Sequence, residues 1–209
     1  MEDYPKPVNK YCTKKIVNQM YNSIYKIKNK EGNHSICFFT FIKIDGKKIP
    51  VVIINNTEEY INKIIISANN INKTVELTEQ KYISYQYGIS IIEIKINKNN
   101  DIPFLEIDKD IFNKNLDELD LFYIKETIYT LHYDNNQDIL VSYGVINNIN
   151  NNKIKYMNSI KALSRGSPLF NISNNKIIGL NISNESDSNY YKYGIFLKEI
   201  IKEFINEYK

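Results

Sequence analysis

About twelve short runs rich in Ile, Val, Tyr and Phe follow one another along this chain, with no long helical pattern between them. Branched and aromatic side chains suit a pleated, half-buried surface. Parallel strands need crossover connections, usually helical, so their absence here favours antiparallel pairing. The runs are Ser23–Lys28, Ile36–Ile44, Ile49–Ile54, Asn62–Ser67, Lys73–Leu77 and Ile89–Ile96 in the first half. Thr127–Tyr133, Asp138–Ile149, Lys153–Ser159, Ser167–Ile172, Lys176–Ser183 and Tyr191–Lys198 follow in the second. Asp45-Gly46, between two such runs, is a strong hairpin signal. Asn147 to Asn152 reads as turn or loop bordering strands.

Helical spacing occurs at the two ends. Between Lys14 and Ile24 the residues Ile16, Val17, Met20, Tyr21 and Ile24 predict one apolar helical face. In the tail, Phe196, Ile200, Phe204 and Tyr208 recur four apart, with Leu197 and Ile201 beside them. Asn97 to Ile124 is less regular, with a loop, a short strand and a helical turn near Asp110–Leu119. Two packed antiparallel barrels or one sandwich both satisfy this pattern.

Composition narrows the function. Hydrophobic residues make up 43 % of 209, enough for a sizeable core, and the net charge is only +3. Arg165 is the only arginine. Base and phosphate readout favours arginine, so no nucleic-acid partner is expected. Cys12 and Cys37 make no disulfide framework, and Cys37 lies in an apolar run where it reads as a small core residue. With no signal-peptide pattern and no long apolar span, the expectation is a cytoplasmic chain without a membrane partner.

Few residues offer chemistry. His34 stands in a turn with Cys37 three residues on, but two ligands do not make a zinc site, so no metal is expected. His132 alternates with Leu131 and Tyr133 on a predicted strand and reads as a core or rim histidine. The carboxylates Glu58, Glu59, Glu79, Asp101, Asp117, Glu118 and Asp120 read as a solvated face. There is no glycine-rich phosphate loop, so no cofactor is expected. Ala162 to Phe170, ALSRGSPLF, stands out as a Gly-Ser-Pro turn opening into an apolar strand.

Three blocks resemble the trypsin-like serine peptidases, over roughly Ile24 to Ile200. CFFTFIKI then IPVVIINNTEEY resembles the strand pair that ends in the general-base histidine, and Thr57 falls on that histidine. YGISIIEI resembles the block carrying the orienting aspartate, and Gly88 falls on it. LSRGSPLFNISNNKIIGLNI resembles the nucleophile block, with Arg165 on the serine and Leu163 on the oxyanion-hole glycine. In this register Ser167 and Ser164 both miss the nucleophile position.

The resemblance implies an all-β fold of two packed antiparallel six-stranded barrels, with a short N-terminal helix and a C-terminal amphipathic helix. It places the first barrel at 23–100, the connection at 101–125, the second barrel at 126–198 and the last helix at 199–209, in one domain of 1–209. With Thr57, Gly88, Arg165 and Leu163 at the catalytic positions, the chain is expected to be an inactive homologue that binds a protein or peptide. Two alternatives remain. One is a hydrolase in which His132 works with Ser167, Ser164 or Cys37. The other is a structural or assembly subunit that uses its outer surface.

Overall fold

The computed structural model of the chain describes residues 10–28, 34–57, 60, 62–68, 71–96, 101–133, 138–158, 165–182 and 191–208. A helix α1 (Lys10–Asn22) precedes β1 (Tyr25–Lys28), β2 (His34–Ile44), β3 (Lys47–Ile54), β4 (Lys63–Ala68), β5 (Ile71–Ser84) and β6 (Ile89–Ile94). Two helices, α2 (Asp110–Asn113) and α3 (Leu116–Tyr123), come next. Then follow β7 (Thr127–Tyr133), β8 (Ile139–Asn150), β9 (Lys153–Asn158), β10 (Pro168–Asn171), β11 (Lys176–Asn181), β12 (Tyr191–Phe196) and α4 (Leu197–Glu207).

The strands close into two antiparallel six-stranded barrels, of β1-β2-β3-β6-β5-β4 and β7-β8-β9-β12-β11-β10. The pairing order is the same in both, so the second barrel repeats the first. Two compact units divide the chain: residues 21–106 with 200–209, and residues 1–20 with 107–199.

Alternation builds the first barrel. Tyr25 and Ile27, Cys37 and Phe39, Val52 and Ile54, Ile64 and Ile66, Val75 and Leu77, and Ile92 and Ile94 form one buried cluster. Each pair is two residues apart, the repeat that sends side chains to one face. The Phe39 ring meets Tyr25 edge-on at 5.5 Å. The Asp45-Gly46 turn takes φ of +48° and +81°, as a two-residue hairpin between right-twisted strands requires.

Four expectations need correction. α1 starts at Lys10 rather than Lys14, and Val17 and Tyr21 face outward while Ile16 and Gln19 are buried. Gln19 is inside because it has partners there. Its Nε2 donates to the Asn175 carbonyl at 3.1 Å, and its Oε1 accepts from the Tyr129 hydroxyl at 2.5 Å. The run Lys73–Leu77 belongs to a longer strand, β5, which continues past a register shift between Leu77 and Lys81. The run Asp138–Ile149 holds as β8, including Asn147 and Asn148, but the strand takes in Asn150 as well, and the loop expected over Asn147–Asn152 shrinks to the turn Asn151–Asn152. The helical turn near Asp110 is two helices. Asn115 caps α3 reciprocally with Glu118, and α3 runs on to the buried Tyr123.

Tyr25 links this packing to pH. Its hydroxyl donates to the Asn22 carbonyl at 2.8 Å, and its ring is 4 % exposed. Burial first, then Cys37 and Asp101, push its pKa from the ordinary 10 up to about 12. A phenol that ionises later in the folded state than in the unfolded state favours folding while protonated. Stability should therefore be undiminished below about pH 10 and fall as pH rises toward 12. Urea unfolding across that window should show the fall, and Tyr25→Phe should make it shallower. An equal slope in that variant would remove Tyr25 as a cause.

Candidate functional site

The segments that carry Thr57 and Gly88 lie at one end of the first barrel. β3 and β6 are antiparallel neighbours with Ile54 opposite Ser90. The segment leaving β3 and the turn entering β6 therefore lie at the same end. The Ser90 hydroxyl ties them, donating to the Asn56 carbonyl at 2.6 Å. Asn56 also donates from Nδ2 to Ser35 Oγ at 3.2 Å and to the Tyr60 hydroxyl. Thr57 follows, half-buried. Gly88 closes the β5–β6 turn with its N–H on the Ser84 carbonyl at 2.8 Å and φ of +68°. That backbone region disfavours most side chains, aspartate less than others.

Arg165 is exposed in the turn before β10. Leu163 and Ser164 lie outside the described residues. Gly166 follows Arg165 with φ of +83°, and its N–H donates to the Asn181 carbonyl at 2.8 Å. Ser167 is wholly buried and completes this pairing, its carbonyl accepting from the Asn181 N–H at 2.9 Å.

His132 is 2 % exposed on β7, and its Nε2 is 2.6 Å from Ser142 Oγ. β7 and β10 pair with Thr130 opposite Leu169 and Tyr129 opposite Phe170. Carrying that register two residues on sets Ser167 across from His132, on the same face. This is the pair that the relocated-hydrolase alternative names. Both residues are inside the second barrel, where a substrate carbonyl has no access. Cys37 is on β2 of the first barrel, and burial pushes its thiol pKa far up, which suppresses the nucleophilic thiolate.

The second barrel encloses more polar groups than the first. Thr130, His132, Ser142, Asn158, Asn181 and Lys192 are all buried and share the inward phase of their strands. The Tyr156 hydroxyl donates to Asn181 Oδ1 at 2.9 Å, and full burial pushes its pKa well up. Sequence reading missed this cluster, although alternation in YKYGIF puts Lys192 in phase with Gly194 and Phe196. Burying polar side chains costs free energy unless they are hydrogen-bonded, and here His132 meets Ser142 and Tyr156 meets Asn181, whereas Thr130 Oγ1 meets no partner among the described residues.

Among the described residues, no group of three or more His, Cys, Asp or Glu is placed to hold a metal ion. No described helix is long and apolar enough to cross a membrane. Thr57, Gly88 and Arg165 themselves supply neither a base near neutral pH nor a nucleophilic oxygen with an acceptor for its proton.

No protein-family model and no curated protein matches the chain. Solved structures do. The serine endoprotease from Yersinia pestis superposes with a TM-score of 0.65 at 14 % identity, covering 98 % of this chain and 69 % of that one. Rv3671c from M. tuberculosis H37Rv, in the inactive form of a serine-to-alanine mutant, superposes with a TM-score of 0.62 at 13 % identity, covering 97 % and 95 %. The chain therefore has the fold of the trypsin-like serine proteases, at an identity where likeness shows the fold alone.

Proposed function

We propose that this chain is a protease-like scaffold without triad chemistry, which serves as a protein- or peptide-interaction module. One observation carries the reading. Where β3 ends beside the start of β6, Thr57 and Gly88 stand at the positions that the resemblance gives to the base and its anchor. A threonine hydroxyl takes up no proton near neutral pH, and a glycine orients nothing. Arg165 at the nucleophile position has no lone pair to attack with.

A relocated pair, His132 with Ser167, is the competing enzyme reading, and the β7–β10 register is what favours it. Burial weighs against it. Acyl transfer needs the nucleophile to reach a substrate carbonyl, and Ser167 is wholly enclosed.

A fluorophosphonate probe tests both readings. The folded protein should remain unlabelled, and Arg165→Ser alone should also remain unlabelled, because a new hydroxyl there has no base. Stoichiometric covalent labelling of the native protein at any serine would overturn the reading. Loss of that labelling in Ser167→Ala would identify the relocated pair.

A further inference from the structure

The outer face of the second barrel over β8, β9 and β12 has an unusual make-up. Strand alternation points Tyr191 and Tyr193, Lys153, Lys155 and Met157, and Asn148 and Asn150 outward. Tyr191 is 44 % exposed, Tyr193 46 % and Met157 36 %. Register aligns Asn148, Lys155 and Tyr193 in one cross-strand row, with Tyr191 beside Met157 in the next. The Lys155 ammonium stands 4.6 Å over the Tyr191 ring. A depression of about 350 Å³ opens here, lined by Asn148, Asn150, Asn151, Lys153, Lys155 and Tyr193. None of these six residues is acidic.

We infer that this face binds an acidic segment of a partner protein in extended conformation. The inference rests on the interaction-module reading and says which surface and which partner chemistry that reading involves. Charge complementarity is the first argument. Two lysines border the depression and none of its lining residues is a carboxylate, so an incoming carboxylate meets cations and no lining anion. Spacing is the second. Lys153 and Lys155 are two residues apart on one strand, about 6.7 Å. An extended peptide repeats its own side chains at the same interval, so alternate carboxylates can face Lys153 and Lys155, whose flexible stems carry the ammonium groups to them. The tyrosines, two residues apart on the neighbouring strand, offer rigid contact area for the partner's backbone and remaining side chains. The Asn148 and Asn150 amides supply donors and acceptors to an extended backbone.

A fluorescent decapeptide alternating Glu and Thr is the probe, measured by anisotropy on the full chain at low ionic strength. Its Lys-Thr counterpart, a heparin fragment and a single-stranded oligonucleotide are the comparisons. The Glu-Thr peptide should bind, the Lys-Thr peptide should not, and added salt should weaken the complex. K153E with K155E should weaken binding at least tenfold with only a small fall in the thermal midpoint, since Lys153 is exposed and Lys155 is half-buried with its ammonium over the Tyr191 ring. Tyr193→Ala should weaken it severalfold with little change in salt dependence. Equal affinity in the double charge reversal, or tighter binding of heparin or the oligonucleotide than of the peptide, would overturn the inference. Neither outcome touches the catalytic assignment, which covalent probe labelling decides separately.

Discussion

Asp108→Leu should lower stability by about 3–5 kcal/mol, because it removes one buried acceptor from four donors at once. The carboxylate is 3 % exposed. Its Oδ2 accepts from Asn174 Nδ2 at 2.8 Å, from the Tyr123 hydroxyl at 3.1 Å and from Asn171 Nδ2 at 3.4 Å. Its Oδ1 accepts from the Asp110 N–H at 3.2 Å. The segment is fixed to β11 through the Asp108 N–H, which donates to the Ile177 carbonyl at 2.8 Å. One side chain thus joins the start of α2, the end of α3 and the β10–β11 turn. Burial, followed by the neighbouring Asp108, pushes the Tyr123 pKa far up, as expected of a phenol held beside a carboxylate out of water. Leucine fills much of the volume but accepts nothing, so the buried Tyr123 and Asn171 donors lose their partner without regaining solvent. Asp108→Asn retains one acceptor oxygen and should cost less, about 1–2 kcal/mol. Tyr123→Phe should cost about 1 kcal/mol alone and less than that in the Asp108→Leu background, since the hydroxyl then has nothing to lose. Urea unfolding of the four proteins closes this cycle. A Leu variant within about 1 kcal/mol of the parent would show that the hub contributes little.

The strands were legible because their runs are dense in branched and aromatic residues, and much of the first barrel alternates. Cys37, Phe39, Val52 and Ile54 are in phase, and the Asp45-Gly46 turn fixes their register. Reading failed where a polar residue is inside or an apolar one outside. Gln19 replaces Val17 on the buried face of α1, because Tyr129 and Asn175 satisfy its amide. Lys192 and His132 are enclosed by the closed barrel, and closure joins strands far apart in sequence, which local periodicity does not reveal. The pattern in sequence ends at Leu77 because the polar stretch Thr78 to Lys81 coincides with a register shift, where alternation is interrupted. At the candidate site, neighbouring residues could be named from sequence. That Thr57 and Gly88 share one barrel end depends on the β3–β6 pairing, a contact between segments more than thirty residues apart. The outward Tyr and Lys rows needed the β9–β12 register before they became one surface.

Gly179→Ala should cost about 3 kcal/mol, although it adds a single methyl group. A Cβ built there would stand 2.3 Å from the Ile195 carbonyl oxygen, 3.1 Å from its carbon and 3.2 Å from Ile154 Cδ1. The first two are backbone atoms of β12, which pairs with β11 through Gly179 opposite Phe196 and Leu180 opposite Ile195. A flexible side chain moves aside cheaply, but a carbonyl in a closed barrel moves only if the ladder shifts with it. This gives a physical reason for the glycine in the KIIGLN run: the neighbouring strand approaches too closely for any side chain. Gly46 supplies the contrast. Nothing lies within 4 Å of its would-be Cβ, and only its φ of +81° favours glycine. Gly46→Ala should therefore cost about 1 kcal/mol, from backbone strain alone. Chemical denaturation of the two variants separates crowding from conformation. If Gly46→Ala proved the more damaging, close strand approach would not be what Gly179 provides.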